Sequence, residues 1–253
     1  MYAFPWTDRG ACVPPAHPSD TFEDLEDGDT RHLALAFKSI QGMDVGINSW
    51  IQFNADAKEL YALPLEKHVG RYGFILEATD SEGKMGMDTV KIHVQQPREG
   101  RNYNHRFTAV FMPEKKYDFE FTHALDWQIK VVEKVARLYG DRDTENINVR
   151  SISTNPHKVT WTNTTLTNPR STLCPTDELE AVAEVVVSGD HGMTREIQEA
   201  FEPEFLLKRV HVHYMGHCEV LRPSKPAAPR PPVSSPGKSC TPKCSWVMRC
   251  WGL

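Results

Sequence analysis

Several groups of residues in this 253-residue chain carry side chains able to do chemistry. His211, His213, His217 and Cys218 fall in one short stretch. In an alternating strand His211 and His213 share a face, so both could reach a zinc ion, with His217 or Cys218 completing the set. The plainer reading is a solvent-facing strand surface. A second group is acidic: Asp20 to Asp29 holds six carboxylates in ten residues. A hard cation such as Ca²⁺ wants about six to eight oxygens, and Asp20, Asp24 and Asp27, with Asp80 at the end of a later strand-like run, are the candidates to supply them. The segment lacks the EF-hand order, and no Asp-x-Asn-Asp-Asn linker follows, so a solvated acidic loop is the commoner meaning; a single Asp at a strand end is usually a turn former. Asn163-Thr-Thr165 is an N-glycosylation sequon just after a strand-like run. Of the six cysteines, Cys240, Cys244 and Cys250 have no partner cluster at zinc spacing and read as free thiols in a tail. Cys174 and Cys218 are the pair inside the folded-looking part, and their meaning depends on the redox compartment.

Nucleophile–base signatures are missing. The sequence has no Gly-x-Ser-x-Gly, His-Glu-x-x-His, P-loop or Gly-x-Gly-x-x-Gly. An ordinary enzyme is therefore not expected. A net charge of −5 argues against nucleic acid as the main partner, because phosphate binding needs a basic face. No apolar run approaches the roughly 20 residues of a bilayer crossing, and Met1 to Gly10 shows no signal-peptide pattern.

The elements that must position these residues divide into two sets. Residues 1–15 read as irregular. From 16 to 97 the pattern is short and strand-like, at Leu33–Phe37, Trp50–Phe53, Leu60–Leu63, Gly73–Ala78 and Thr89–Val94, with turn-rich pieces between them. This spacing predicts a β-sandwich. Pro97 to Asn104 is polar, carries Gly100 and reads as a linker between two independently folding halves. Over 104–220 strands are expected at Phe107–Phe111, Ile147–Ile152, Lys158–Thr162 and Leu206–Tyr214. Helices are expected at His123–Tyr139, with Gly140 as its stop, and at Pro175–Val187, capped by Thr176. The β-α-β-β-α-β order is that of an α+β ferredoxin-like domain. Residues 221–253 are rich in proline and low in complexity, and read as a disordered tail.

Ordered strings in both halves resemble the dystroglycan family: His17-Pro-Ser-Asp-Thr-Phe-Glu-Asp-Leu-Glu-Asp27, Ser49-Trp-Ile-Gln-Phe-Asn54, Leu60-Tyr-Ala-Leu-Pro64, His68-Val-Gly70 and Ala78-Thr-Asp80, then Tyr139-Gly-Asp-Arg142, Trp161-Thr-Asn-Thr-Thr-Leu166, Cys174-Pro175 and Phe201-Glu-Pro-Glu-Phe205. The resemblance covers roughly residues 17 to 220. It implies a membrane-proximal cadherin-like sandwich followed by the SEA-like module that spans the subunit junction. The role implied is an adhesion receptor at the cell surface, joining laminin-type matrix proteins to the cytoskeleton through the dystrophin complex. In the family two further strands precede the first string, and a membrane span and a proline-rich cytoplasmic tail follow the module. The expectation is therefore a fragment with an incomplete sandwich.

Residue by residue, the resemblance implies a disulfide between Cys174 and Cys218, a used sequon at Asn163, and a continuing association with calcium. It also implies a loss. Self-cleaving SEA-like modules break a Gly-Ser bond between two strands, the serine hydroxyl attacking the preceding carbonyl. Counting back from Trp161-Thr-Asn places Asn155 and Pro156 at that pair. Pro156 has no hydroxyl, so an uncleaved chain is expected.

Overall fold

Alternating apolar residues build the first half around one core. The computed structural model describes residues 2–4, 21–95, 103–112, 121–167, 173–188 and 192–221; Cys12, Asp20, most of the linker and nearly all of the tail, with Cys240, Cys244 and Cys250, lie outside them. Strands β1 (Tyr2–Phe4), β4 (Ala34–Ser39), β7 (Gly70–Thr79) and β8 (Met85–Val94) form a four-stranded sheet in the order β1-β8-β7-β4. Two tiny strands, β2 (Glu23–Asp24) and β3 (Gly28–Asp29), pair with each other. The second layer is the hairpin of β5 (Ile51–Asn54) and β6 (Glu59–Ala62). Phe37, Ile51, Leu60, Leu76, Val90 and Ile92 meet between the layers, and period-2 alternation places them there: Val90, Ile92 and Val94 are buried while Lys91 is exposed. The half is a β-sandwich. Residues 1–15 are not irregular throughout, since Tyr2–Phe4 pair in parallel with Ile92–Val94. That strand exists through a distant partner, which local composition does not reveal.

The second half follows the split β-α-β order. Strand β9 (His105–Phe111) leads to helix α1 (Ala124–Leu138), then the hairpin of β10 (Ile147–Thr154) and β11 (His157–Asn163), helix α2 (Thr176–Val186) and finally β14 (Leu207–Tyr214). The antiparallel sheet runs β10-β11-β9-β14, so the first and third strands are central and the domain is ferredoxin-like. Leu125, Val131, Val132 and Val135 of α1 pack on Phe107, Val149, Val159 and Trp161 of the sheet. Gly140, at φ +77°, ends α1: its amide donates to Arg137 O at 2.9 Å and that of Asp141 to Ala136 O at 3.0 Å, a Schellman closure. At α2 the expected cap shifts by one residue: Pro175 occupies the cap position and Thr176 is the first helical residue. The Thr176 amide instead donates to Cys174 O at 2.9 Å, and the ladder begins with Leu179 N to Pro175 O at 2.9 Å.

Between α2 and β14 lie a two-strand ribbon, β12 (Val187–Ser188) with β13 (Gly192–Met193), and a third helix, α3 (Arg195–Phe201), which the sequence reading missed. Thr194 caps α3, its Oγ1 accepting from Ile197 N at 3.2 Å. At seven residues the helix is too short to show periodicity. The buried Lys134 of α1 holds it in place, donating to Ala200 O at 2.9 Å and lying 2.7 Å from Glu204.

The two cores are distinct, yet the halves share a packed boundary within one compact unit, Met1–Arg222. Strand β6 is apolar on both faces: Leu60 and Ala62 enter the sandwich core, while Leu63 and Leu65 just beyond it belong to the core of the second half and Tyr61 packs against it. Tyr61 donates its hydroxyl to Asp126 Oδ1 at 2.7 Å, and Asp126 in turn accepts the His123 amide at 2.9 Å at the start of α1. Burial and then the Asp126 carboxylate raise the Tyr61 pKa, so the phenol stays a donor. Ala124 N donates to Ile47 O at 3.0 Å across the same boundary. A hydrogen bond to a charged acceptor contributes about 1.5 kcal/mol. Tyr61→Phe is expected to cost about that much in chemical denaturation; an unchanged midpoint would show that the boundary contributes only shape.

Candidate functional site

Asn155 and Pro156, which the resemblance sets at the cleavage pair, lie at the tip of the β10–β11 hairpin. Thr154 and His157 are the last paired residues, which leaves Asn155 and Pro156 as a two-residue turn, exposed to solvent. The strands reach the tip in register because a bulge between Val149 and Ser151 absorbs one residue. Below the turn, β11 is anchored by Trp161, wholly buried, whose indole N–H donates to the Tyr139 hydroxyl at 3.3 Å. The nearest serine on β10 is committed: Ser153 Oγ donates to Pro156 O at 2.7 Å. This serine faces a carbonyl that follows it in the chain, across the turn. In the family reaction the hydroxyl attacks the carbonyl immediately before its own residue. The turn is exposed, and Pro156 brings no hydroxyl to it.

Cys174 and Cys218 are bonded, with Cα atoms 5.1 Å apart. The bridge joins the start of α2 to the 3₁₀ turn Gly216–Leu221 that follows β14. Cys218 is fully buried and spent in this bond, so it is not available to complete a zinc site with His211 and His213, which are exposed on β14. Among the described residues, no group of three or more His, Cys, Asp or Glu is placed to hold a metal ion.

The sequon sits where β11 ends. Asn163 is 4% exposed, and its Oδ1 accepts from Thr165 N at 3.0 Å and Thr165 Oγ1 at 2.7 Å, so it caps the short turn Thr164–Leu166. Its own amide N–H donates at 3.0 Å to Nε2 of His105, which is fully buried. His105 Nδ1 lies 2.6 Å from Asn104 Oδ1. One ring nitrogen must accept and the other donate, which fixes a neutral tautomer with the proton on Nδ1. Burial pushes the His105 pKa down to about 4. Sequence reasoning passed over His105 because an isolated histidine in a strand carries no signal.

The carboxylates are turn-forming groups. Asp24 Oδ1 accepts from the amides of Glu26 at 2.8 Å and Asp27 at 2.9 Å, and these bonds hold its carboxyl below the ordinary value. Asp27 accepts from Ser81, N at 2.6 Å and Oγ at 3.0 Å, tying the acidic segment to the β7–β8 turn. Asp80 Oδ1 accepts from Glu82 N at 2.9 Å and Lys84 N at 2.8 Å. The structure therefore brings Asp24, Asp27 and Asp80 to one end of the sandwich. All three act on the Lys84 ammonium, whose pKa is raised first by Glu82 and, with smaller effect, by them.

Two family comparisons match in order along the chain. Residues 10–95 match the alpha-dystroglycan third Ig-like domain, and residues 105–220 match dystroglycan domain 4. Among solved structures, the protocadherin gammaB4 extracellular domain is similar over 64% of this chain at 13% identity, with a TM-score of 0.24; the chain spans 25% of that structure's length. No helix among the described residues is long and apolar enough to cross a membrane. The two matches take in nearly all of both folded halves, on either side of the predicted linker, and the chain belongs to the dystroglycan family.

Proposed function

We propose that this chain is the extracellular, subunit-junction part of a dystroglycan-like adhesion receptor at the cell surface, and that its second half is a connector that does not cut itself. The observation that carries the reading is the hairpin tip: the exposed turn that the resemblance sets at the cleavage position is Asn155-Pro156, held by two ordered strands, with no hydroxyl at 156 and its nearest serine turned to another carbonyl. A module that keeps the hairpin, the buried tryptophan beneath it and the Cys174–Cys218 tie retains what a mechanical link needs. In the receptor role, laminin-type matrix proteins bind on the outside and the dystrophin complex is reached from the inside, so tension passes through both halves. The packed boundary at Tyr61, Leu63 and Leu65 lets the sandwich and the connector bear it together.

Denaturing mass spectrometry of reduced, purified protein tests this directly. One species of full length is expected after days at neutral pH. Two pieces separating near residue 155 without added protease would overturn the connector reading and revive a self-cleaving module. Installing Gly-Ser at 155–156 asks the complementary question, since any cleavage then observed reports that only the nucleophile had been lost.

A further inference from the structure

The four strands of the second half's main sheet contain no aspartate or glutamate, while they carry Arg106, Arg150, Lys158, Lys208 and Arg209. The helix α2 shows the reverse, with Asp177, Glu178, Glu180 and Glu184 and no lysine or arginine. In a chain of net charge −5, charge is thus divided between this sheet and α2, while α1 carries both signs. One face of the sheet is buried under the helices through Phe107, Ala109, Val159 and Trp161. The residues alternating with these face away from the helices.

Cross-strand register orders that outer face into rows. Ser151, Thr160, Thr108 and His211 are successive partners across all four strands, a row of three hydroxyls ending in an imidazole. The Thr108 and Thr160 hydroxyls lie 3.4 Å apart. In the next row Ser153, Lys158, Val110 and Arg209 are partners. On the other side of the hydroxyl row, Arg106 pairs with His213. From strand spacing, Lys158 and Arg209 stand roughly 10 Å apart across the sheet, and Arg106 roughly 14 Å along it from their row. Among the described residues Arg106, Lys158 and Arg209 have no acidic side chain within ion-pair distance.

The part of this face on β9, β10 and β11 is recessed, and Arg209 on β14 lies outside the recess. A cleft of about 1050 Å³ is lined by Arg106, Thr108, Arg150, Lys158, Thr160 and Thr162, with Glu178 as its single acid. Arg150 lies 4.2 Å over the Tyr103 ring at one end, so an aromatic plate and a guanidinium share that wall.

We infer that this sheet face is a binding site for a sulfated or uronic-acid-bearing glycan chain. The cations are placed for anionic groups spaced along an extended chain, and guanidinium forks match sulfate and carboxylate geometry. Of the floor hydroxyls, those of the half-buried Thr108 and the exposed Ser151 can exchange hydrogen bonds with sugar hydroxyls, while Thr160 is nearly buried and Thr162 already donates to His105 O at 3.2 Å. An acidic peptide lying across this face fits less well, because the amides of the two central strands are already paired and offer its backbone nothing to join. A flat anionic lipid surface would not reach the hydroxyls at the bottom of a recess. The inference is independent of whether the hairpin cleaves.

The test uses the full chain and a size-defined heparin octasaccharide, with binding measured by calorimetry at low and physiological salt. Wild-type protein is expected to bind, with affinity falling steeply as salt rises. The triple variant Arg106→Ala, Lys158→Ala, Arg209→Ala should bind at least tenfold more weakly with an unchanged melting temperature. The control Lys130→Ala, Arg137→Ala on α1 should stay within twofold of wild type. No binding at low salt, equal weakening in the control, or equally tight binding of poly-glutamate of matched length would each overturn the assignment. Should the triple variant lose stability, Arg106→Glu alone, melting as wild type, must still weaken binding.

Discussion

Replacing Cys174 and Cys218 together by alanine is expected to destabilise the protein by about 4 kcal/mol. The bridge closes a loop with a sequence separation of 44. In the chain-entropy treatment a loop of that size removes about this much conformational freedom from the unfolded state. The structure adds a native-state reason. The loop contains α2, the β12–β13 ribbon, α3 and β14, so the bond ties the far edge strand of the sheet to the start of α2 and shuts a cooperative unit. Without it, the 3₁₀ turn Gly216–Leu221 loses its covalent tie to α2 and keeps backbone bonds such as Cys218 N to Met215 O at 3.1 Å. For a domain of this size the melting temperature should fall by about 10 °C. Differential scanning calorimetry of the oxidised wild type against the double variant reads this; a drop of less than about 3 °C would mean that packing alone fixes the turn. Mild reduction of the wild type should reproduce the variant, since the same bond is lost.

The second large effect is a loss of stability on acidification centred on His105. Its folded pKa, about 4, lies below the ordinary histidine value of 6.5 because burial disfavours the charged ring. The unfolded state therefore binds a proton more readily than the folded one. The stability tied to neutral His105 is complete above pH 6.5 and is lost progressively as pH falls from 6.5 toward 4. A shift of this size corresponds to about 3 kcal/mol across the window. A protonated ring would also turn Nε2 from an acceptor into a donor facing the Asn163 amide, so the sequon's turn loses its anchor. His68 adds a smaller contribution of the same sign: burial, and next Lys67, hold its pKa down to about 4, while Nδ1 accepts from Leu65 N at 3.0 Å and the ring stacks on Trp50. The carboxylate Asp29, lowered to about 2 by Arg31, acts below this window and is separable from it. His105→Gln preserves an acceptor without a titrating ring. It should flatten the dependence of the denaturation midpoint between pH 6.5 and 4; an equally steep slope in the variant would assign the effect elsewhere.

The order and type of the elements were legible in this sequence because the signals for them are local. Valine and isoleucine alternate in Val90–Val94, Leu125 to Ala136 recur at helical spacing, and Gly140 supplies the left-handed residue a Schellman closure requires. The missing hydroxyl at Pro156 is likewise a property of one residue, visible once Trp161 fixes the count. Tertiary structure decided the rest, and in each case the reason is a partner distant in the chain. Tyr2–Phe4 become a strand through Ile92–Val94. Leu63 and Leu65 leave the sandwich for the neighbouring core because strand β6 has both faces covered, which a run as short as Leu60-Tyr-Ala-Leu-Pro64 does not announce. His105 becomes a neutral anchor only when Asn163, 58 residues on, is folded against it. The basic face follows the same logic. Arg106, Lys158 and Arg209 sit singly on three strands, and only the antiparallel register, with the bulge before Arg209, gathers them on one side of the sheet.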